Sequence, residues 1–184
     1  TNIVGLGITP QCRINRDYIT KKLGISPMRA SEIADQMESI WERWAPYASA
    51  DGRLNFYQIQ GLVNRQRFEN GDVFLIPVMK PIKNDRPYQL AFQVVEADRV
   101  DTPTEHKSNK NFRAGVEIDD FGEPVNYYVS EGFPGDWKYN GYAKNMTFRR
   151  LPAYDQFGRR NVMHIYKMLR PDQSRGVPDL ANVI

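Results

Sequence analysis

An α+β fold is predicted for this 184-residue chain: two N-terminal helices packed on a mainly antiparallel β-sheet or small β-barrel of about six strands. Three observations carry that expectation. Apolar residues recur at helical spacing up to Asn70, the helical period disappears beyond Gly71, and turn-rich stretches divide the second part into short apolar runs.

Residues 3–11, which hold Gly5, Gly7 and Pro10 among apolar neighbours, read as a short strand or turn. The Ser26-Pro27 pair then offers a helix cap followed by a first-turn proline, and Ile33, Met37, Ile40, Trp41 and Trp44 recur at helical spacing until Pro46. A second helix starts after Asn55, with Phe56, Ile59, Leu62 and Val63 on one face and Asn70-Gly71 as its stop. The pair is expected to bury Ile33, Met37, Ile40, Trp41 and Leu62 against the β portion. Residues 73–79 and 88–95, joined by the polar run 83–87, read as the first two strands. Residues 112–118 and 124–129 flank Asp119-Asp120-Phe121-Gly122, and residues 145–151 and 162–167 flank a stretch containing Phe157-Gly158. The resulting division is 1–70 for the lead-in and helix pair, 71–170 for the β-rich part, and 171–184 for a turn leading into a following helix. The first residue, Thr1, and the apolar close Ala181-Asn182-Val183-Ile184 suggest a piece of a longer chain.

Composition excludes several function classes. The 25 basic and 22 acidic residues leave a formal net charge of only +3, too small an excess to require nucleic acid as a partner. No apolar run approaches the roughly 18 to 20 residues needed to cross a bilayer, so no membrane is expected. The single cysteine, Cys12, excludes an internal disulfide and fits a reducing compartment. His106 lies in a polar loop spanning 101–111 and reads as solvated, while His164 alternates with apolar residues in a strand and reads as a hydrogen-bonded structural group. Cys12 lacks the surroundings of a thiol nucleophile, Asp119-Asp120 serves as turn chemistry, and Gly5 and Gly7 stand outside any phosphate loop. No catalytic residue, cofactor or metal is therefore assigned. Arg149, Arg150, Arg159 and Arg160 interleave with Phe148 and Phe157 and are candidate contacts to a DNA backbone, with a solvated hairpin as the competing reading.

The segment His164-Ile165-Tyr166-Lys167, followed by Arg170-Pro171-Asp172-Gln173-Ser174-Arg175-Gly176-Val177-Pro178, resembles the lambda-type bacteriophage portal proteins. In the same order the chain carries Val4 to Gln11, Trp41 to Trp44, Asp51-Gly52, Phe56-Tyr57, Gly71-Asp72-Val73-Phe74, Glu96 to Val100, and Gly115 to Asp119 with Phe121 to Val125. Asp172 stands where the family often has Gly, and Asp179 where it often has Trp.

The resemblance implies a wing-like region at 71–170 in a structural subunit of a portal ring of about twelve copies at one vertex of a phage head. Other portal subunits, the terminase packaging motor, the head-tail connector, capsid proteins and double-stranded DNA held without sequence preference are the implied partners. DNA packaging and ejection through the ring, in a virion assembled in the host cytoplasm, are the implied setting, for a free phage or a prophage. His164, Arg170, Pro171, Gln173, Arg175, Gly176 and Pro178 are expected to form an architectural motif that aims the following helix. A non-specific nucleic-acid-binding module is the alternative.

Overall fold

The computed structural model describes residues 7–82, 86–132 and 147–182. Residues 3–6 of the lead-in, 83–85 of the polar loop, 145–146 of the fifth predicted strand and the last two residues lie outside that set. The chain divides into two compact units, Thr1–Gly61 with Val78–Ala91, and Leu62–Pro77 with Phe92–Ile184.

Local capping chemistry explains the helices. In α1 (Arg16–Leu23) the Asn15 side chain accepts from the Tyr18 amide, and in α2 (Pro27–Trp44) Ser26 Oγ accepts from the Arg29 amide at 3.2 Å. Helix α3 (Phe56–Asn70) opens on a reciprocal pair: Asn55 Oδ1 accepts from the Gln58 amide, and Gln58 Oε1 accepts from the Asn55 amide. The described residues thus hold three α-helices where two were expected. None of the residues of α1 is buried, so no apolar period marks it.

In the first unit, Trp41, Trp44 and Phe56 meet with ring centroids 4.7 to 5.5 Å apart, and Trp44 Nε1 donates to the Leu90 carbonyl at 2.8 Å. Trp44, Ala45, Ala48 and Ile59 are buried there. Met37 and Ile40, expected in the core, are instead 53% and 49% exposed. Helix α2 is buried at Ala30 in its first turn and at Trp44 in its last, where the two indoles meet Phe56, and Met37 and Ile40 lie outside that cluster.

The strands are β1 (Asp72–Met79), β2 (Leu90–Glu96), β3 (Phe112–Arg113), β4 (Val116–Ile118), β5 (Pro124–Ser130), β6 (Phe148–Pro152) and β7 (Met163–Tyr166). They form two sheets, ordered β2-β1-β7 and β3-β4-β5-β6, and among the described residues no closed barrel. The count rises from six to seven because the run 112–118 is broken at Ala114-Gly115. Both residues have positive φ, 47° and 84°, and Arg113 pairs with Val116 across them, which makes a two-residue turn of the kind whose twist matches a hairpin. A side chain at Gly115 would place its Cβ 2.5 Å from the Asp101 nitrogen, so glycine is required there. Val73, Phe74, Val95, Val116, Tyr127, Val129 and Val162 form the core of this second unit, each large apolar side chain contributing about 1.5 to 3 kcal/mol on burial.

Candidate functional site

Strand β1 begins immediately after the glycine that ends α3, and its first residue, Asp72, is buried to 1% exposure. A carboxylate taken out of water must be paired or lose its charge. Asp72 Oδ2 accepts three hydrogen bonds, from His164 Nε2 at 3.0 Å, Arg175 Nε at 2.5 Å and the Gly176 amide at 3.0 Å, and Oδ1 accepts from Arg175 Nη2 at 3.2 Å. The antiparallel pairing of β1 with β7 sets Phe74 opposite His164, bringing the imidazole over the aspartate from two residues away.

Arg175 has five N–H donors, and all five are used. Besides the two bonds to Asp72, Nη1 donates to the carbonyls of Val100 at 2.8 Å and Ala114, and Nη2 donates to the Ala97 carbonyl at 2.9 Å. One side chain therefore gathers the start of β1, the turn after β2 and the β3–β4 turn. Its guanidinium carbon lies 5.3 Å from the centre of the Phe74 ring, and His164 stacks on the same ring at 4.2 Å.

Burial opposes ionisation of Asp72, but the hydrogen bonds from His164 and Arg175, the Arg175 charge and the Gly176 amide outweigh it and bring the carboxyl down to about 2. Burial pushes His164 below the ordinary imidazole value, more strongly than Asp72 draws it up. At neutral pH the cluster is a carboxylate and a guanidinium with a neutral imidazole carrying its proton on Nε2.

The backbone permits the clasp because two glycines meet. A Cβ at Gly71 would lie 2.7 Å from the Pro178 nitrogen, and one at Gly176 would collide with the Gly71 carbonyl. Gln173, also buried, accepts from the Leu169 amide at 2.8 Å and donates to the Arg175 carbonyl at 2.7 Å, while its own carbonyl accepts from the Tyr166 hydroxyl at 2.8 Å. Asp172 has φ 57°, a left-handed backbone that glycine adopts most easily, and its carbonyl accepts from Arg113. Asp179 pairs with Arg67 of α3 at 3.0 Å. Of the motif residues, His164, Gln173, Arg175 and Gly176 thus join one network and Pro178 packs beside it; Arg170 and Pro171 are exposed. Asp72, the hub of the network, stands in the Gly71-Asp72-Val73-Phe74 stretch, whose sequence carries no sign of this pairing.

The four candidate DNA contacts are less unified. Arg149 and Arg150 are successive residues of β6 and project to opposite faces. Arg149 donates to Gln93, Arg150 lies 3.9 Å from Glu117, and Arg159 pairs with Asp155 at 2.7 Å. Arg160 lies over the Tyr154 ring at 5.1 Å. His106, read as solvated, instead stacks on Phe112 at 4.4 Å, because the loop folds back onto β3. Among the described residues no group of His, Cys, Asp and Glu has the arrangement of a metal site, and no helix is long and apolar enough to cross a membrane.

Comparison with known proteins gives a consistent result. The model of the phage portal protein family, lambda type, matches residues 1–184. The chain is 28% identical over 162 residues to portal protein B of Escherichia phage lambda, covering 84% of this chain and 28% of that protein. It is 36% identical over 94 residues to the portal protein of Escherichia phage N15, covering 50% of this chain and 16% of that one.

Proposed function

Since the chain belongs to the lambda family of phage portal proteins, we propose that it is a wing-like structural segment of a portal ring, fixed in shape by the Asp72–His164–Arg175 clasp. The observation that carries this reading is the family match along the whole chain. The clasp supports it: the matched motif is spent on internal hydrogen bonds, and a subunit that must hold its shape in a ring needs such a joint and no catalytic group. The segment acts without enzymatic activity, metal or cofactor.

In this reading the partners are neighbouring subunits in a ring of about twelve, the terminase motor, the head-tail connector, the capsid, and DNA that passes during packaging and ejection. The site of action is the capsid vertex of the virion, after assembly in the host cytoplasm. Native mass spectrometry of the polypeptide that carries these residues tests it: a closed ring is expected, and a monomer under all assembly conditions would overturn it.

DNA contact is weak and indifferent to sequence, through Arg149, Arg150, Arg159 and Arg160. Their division between two sheet faces and their internal partners leave few cations for any one phosphate track, which disfavours a dedicated binding module. Affinity no tighter than roughly 10⁻⁴ to 10⁻⁶ M is expected at physiological salt, falling steeply between about 50 and 200 mM. A salt series with two unrelated duplexes, repeated after changing the four arginines to glutamine, decides it; nanomolar binding that survives the change contradicts it.

A further inference from the structure

Two turns of the four-stranded sheet repeat one design. In the first, Asp119 Oδ1 accepts from the amides of Phe121 at 2.9 Å and Glu123 at 2.8 Å, while the Asp119 amide donates to the Glu123 carbonyl at 3.0 Å. In the second, Asp155 Oδ1 accepts from the amides of Phe157 at 2.8 Å and Arg159 at 2.9 Å, and the Asp155 amide donates to the Arg159 carbonyl at 2.8 Å. A glycine follows each phenylalanine, Gly122 with φ 86° and Gly158 with φ 75°. Both are Asp-x-Phe-Gly turns braced by one aspartate, and each displays its ring to solvent, Phe121 at 94% and Phe157 at 71% exposure.

The turns lie side by side. The first enters β5 and the second leaves β6, and because Asn126 pairs with Pro152 and the Ala153 amide donates to the Val125 carbonyl, both project from the same end of the sheet. At their bases lies a hollow of about 390 Å³ with walls from Pro124, Val125, Pro152 and Tyr154 and polar groups from Glu123 and Arg150. The first turn is acidic, with Asp120 and Glu123 exposed, and the second is flanked by Arg159 and Arg160. Carboxylates beside Phe121 would repel a phosphate backbone, so the first turn does not suit DNA.

We infer that this end of the sheet is a self-complementary face by which two copies of the chain pair about a two-fold axis. Knobs, hollow, acidic turn and basic turn all sit on one patch, and such a patch is satisfied by its own inverted copy: each phenylalanine meets the partner's hollow, each acidic turn the partner's basic turn. A two-fold contact closes at two chains and so is distinct from the contact that propagates a ring. It joins two free subunits or two rings, and goes beyond the ring reading. Contact through two turns is narrow beside the roughly 1,000 Å² typical of a stable interface, so the pair is expected to be weak, with a dissociation constant on the order of 10⁻⁴ M.

Sedimentation equilibrium of the 184-residue chain tests this, with circular dichroism confirming that each variant is folded. The expected result is a monomer–dimer equilibrium that stops at two, weakened at least about tenfold by Phe121→Ser with Phe157→Ser. Asp120→Lys with Glu123→Lys in one chain, and Arg150→Glu with Arg160→Glu in another, should each abolish self-pairing, while their mixture forms a one-to-one dimer. A wild-type chain that stays monomeric at every concentration overturns the inference, as does pairing indifferent to both sets of changes. Assembly beyond two chains through these same residues also overturns it.

Discussion

In the unit formed by Thr1–Gly61 and Val78–Ala91, Trp41, Trp44 and Phe56 meet around the end of α2, and an indole bond ties that ring cluster to the Leu90 carbonyl. In the unit formed by Leu62–Pro77 and Phe92–Ile184, a buried ion pair with a histidine gathers three chain segments around Arg175. The difference is one of tolerance. Ring packing degrades in proportion to the area lost, whereas removal of one partner from a buried charge pair leaves the other charged, desolvated and uncompensated. The first region can drift under substitution; the second is held to one arrangement.

The largest effect should therefore fall on the clasp. Arg175→Met leaves Asp72 buried without its cation and the Ala97, Val100 and Ala114 carbonyls without their donor, and should cost about 3 to 5 kcal/mol in a denaturant titration. A cost below about 1 kcal/mol would erase the contrast between the regions. Trp44→Ala comes next, at about 3 kcal/mol, from a buried ring and a lost hydrogen bond. Trp41→Ala should cost less, because Trp41 is only partly buried and its Nε1, enclosed, has no hydrogen-bond partner among the described residues. The reverse order would show that the indole bond is not the anchor.

Acid should act through the clasp and spare the ring cluster. The folded value of His164 is lowered, so the neutral form is favoured by folding and its contribution, present above about pH 6.5, is lost as pH falls below that. Asp72 is depressed from 3.8 to about 2, so its contribution is present above pH 3.8 and lost as pH falls through about 2. That second step amounts to about 2 kcal/mol. Stability measured against pH should fall in both windows, and His164→Gln should remove the upper one alone; a flat profile down to pH 3 contradicts the assignment. At the small end, Met37→Ser and Ile40→Ser should each change stability by less than about 0.5 kcal/mol, since half of each side chain already faces solvent.

The same contrast governs what the sequence made legible. Helix starts at Ser26-Pro27 and Asn55 were readable because capping is decided within three residues. The burial of Met37 and Ile40 was not, because helical spacing shows which residues share a face and not whether anything covers it. Helix α1 escaped for the opposite reason, having no buried face to generate a period. The extra hairpin was hidden by Ala114, a residue that does not advertise positive φ. The motif around Arg175 was recognisable as a resemblance, yet its mechanism was not: the bonds to Asp72 span 92, 103 and 104 residues, and no local rule links an aspartate at the start of one strand to an arginine so far along the chain. The exposed phenylalanines, by contrast, lay in turns read correctly as turns, and only their shared end of one sheet gives them meaning.

The most direct test of the clasp is a double-mutant cycle on Asp72 and Arg175. Asp72→Asn, Arg175→Met and the combined variant are compared by denaturant unfolding at pH 7. If the two groups act as one buried pair, the combined variant loses less than the sum of the single losses by at least about 2 kcal/mol. Losses that add to within about 0.5 kcal/mol would mean that the two residues stabilise the chain independently, and would contradict the account.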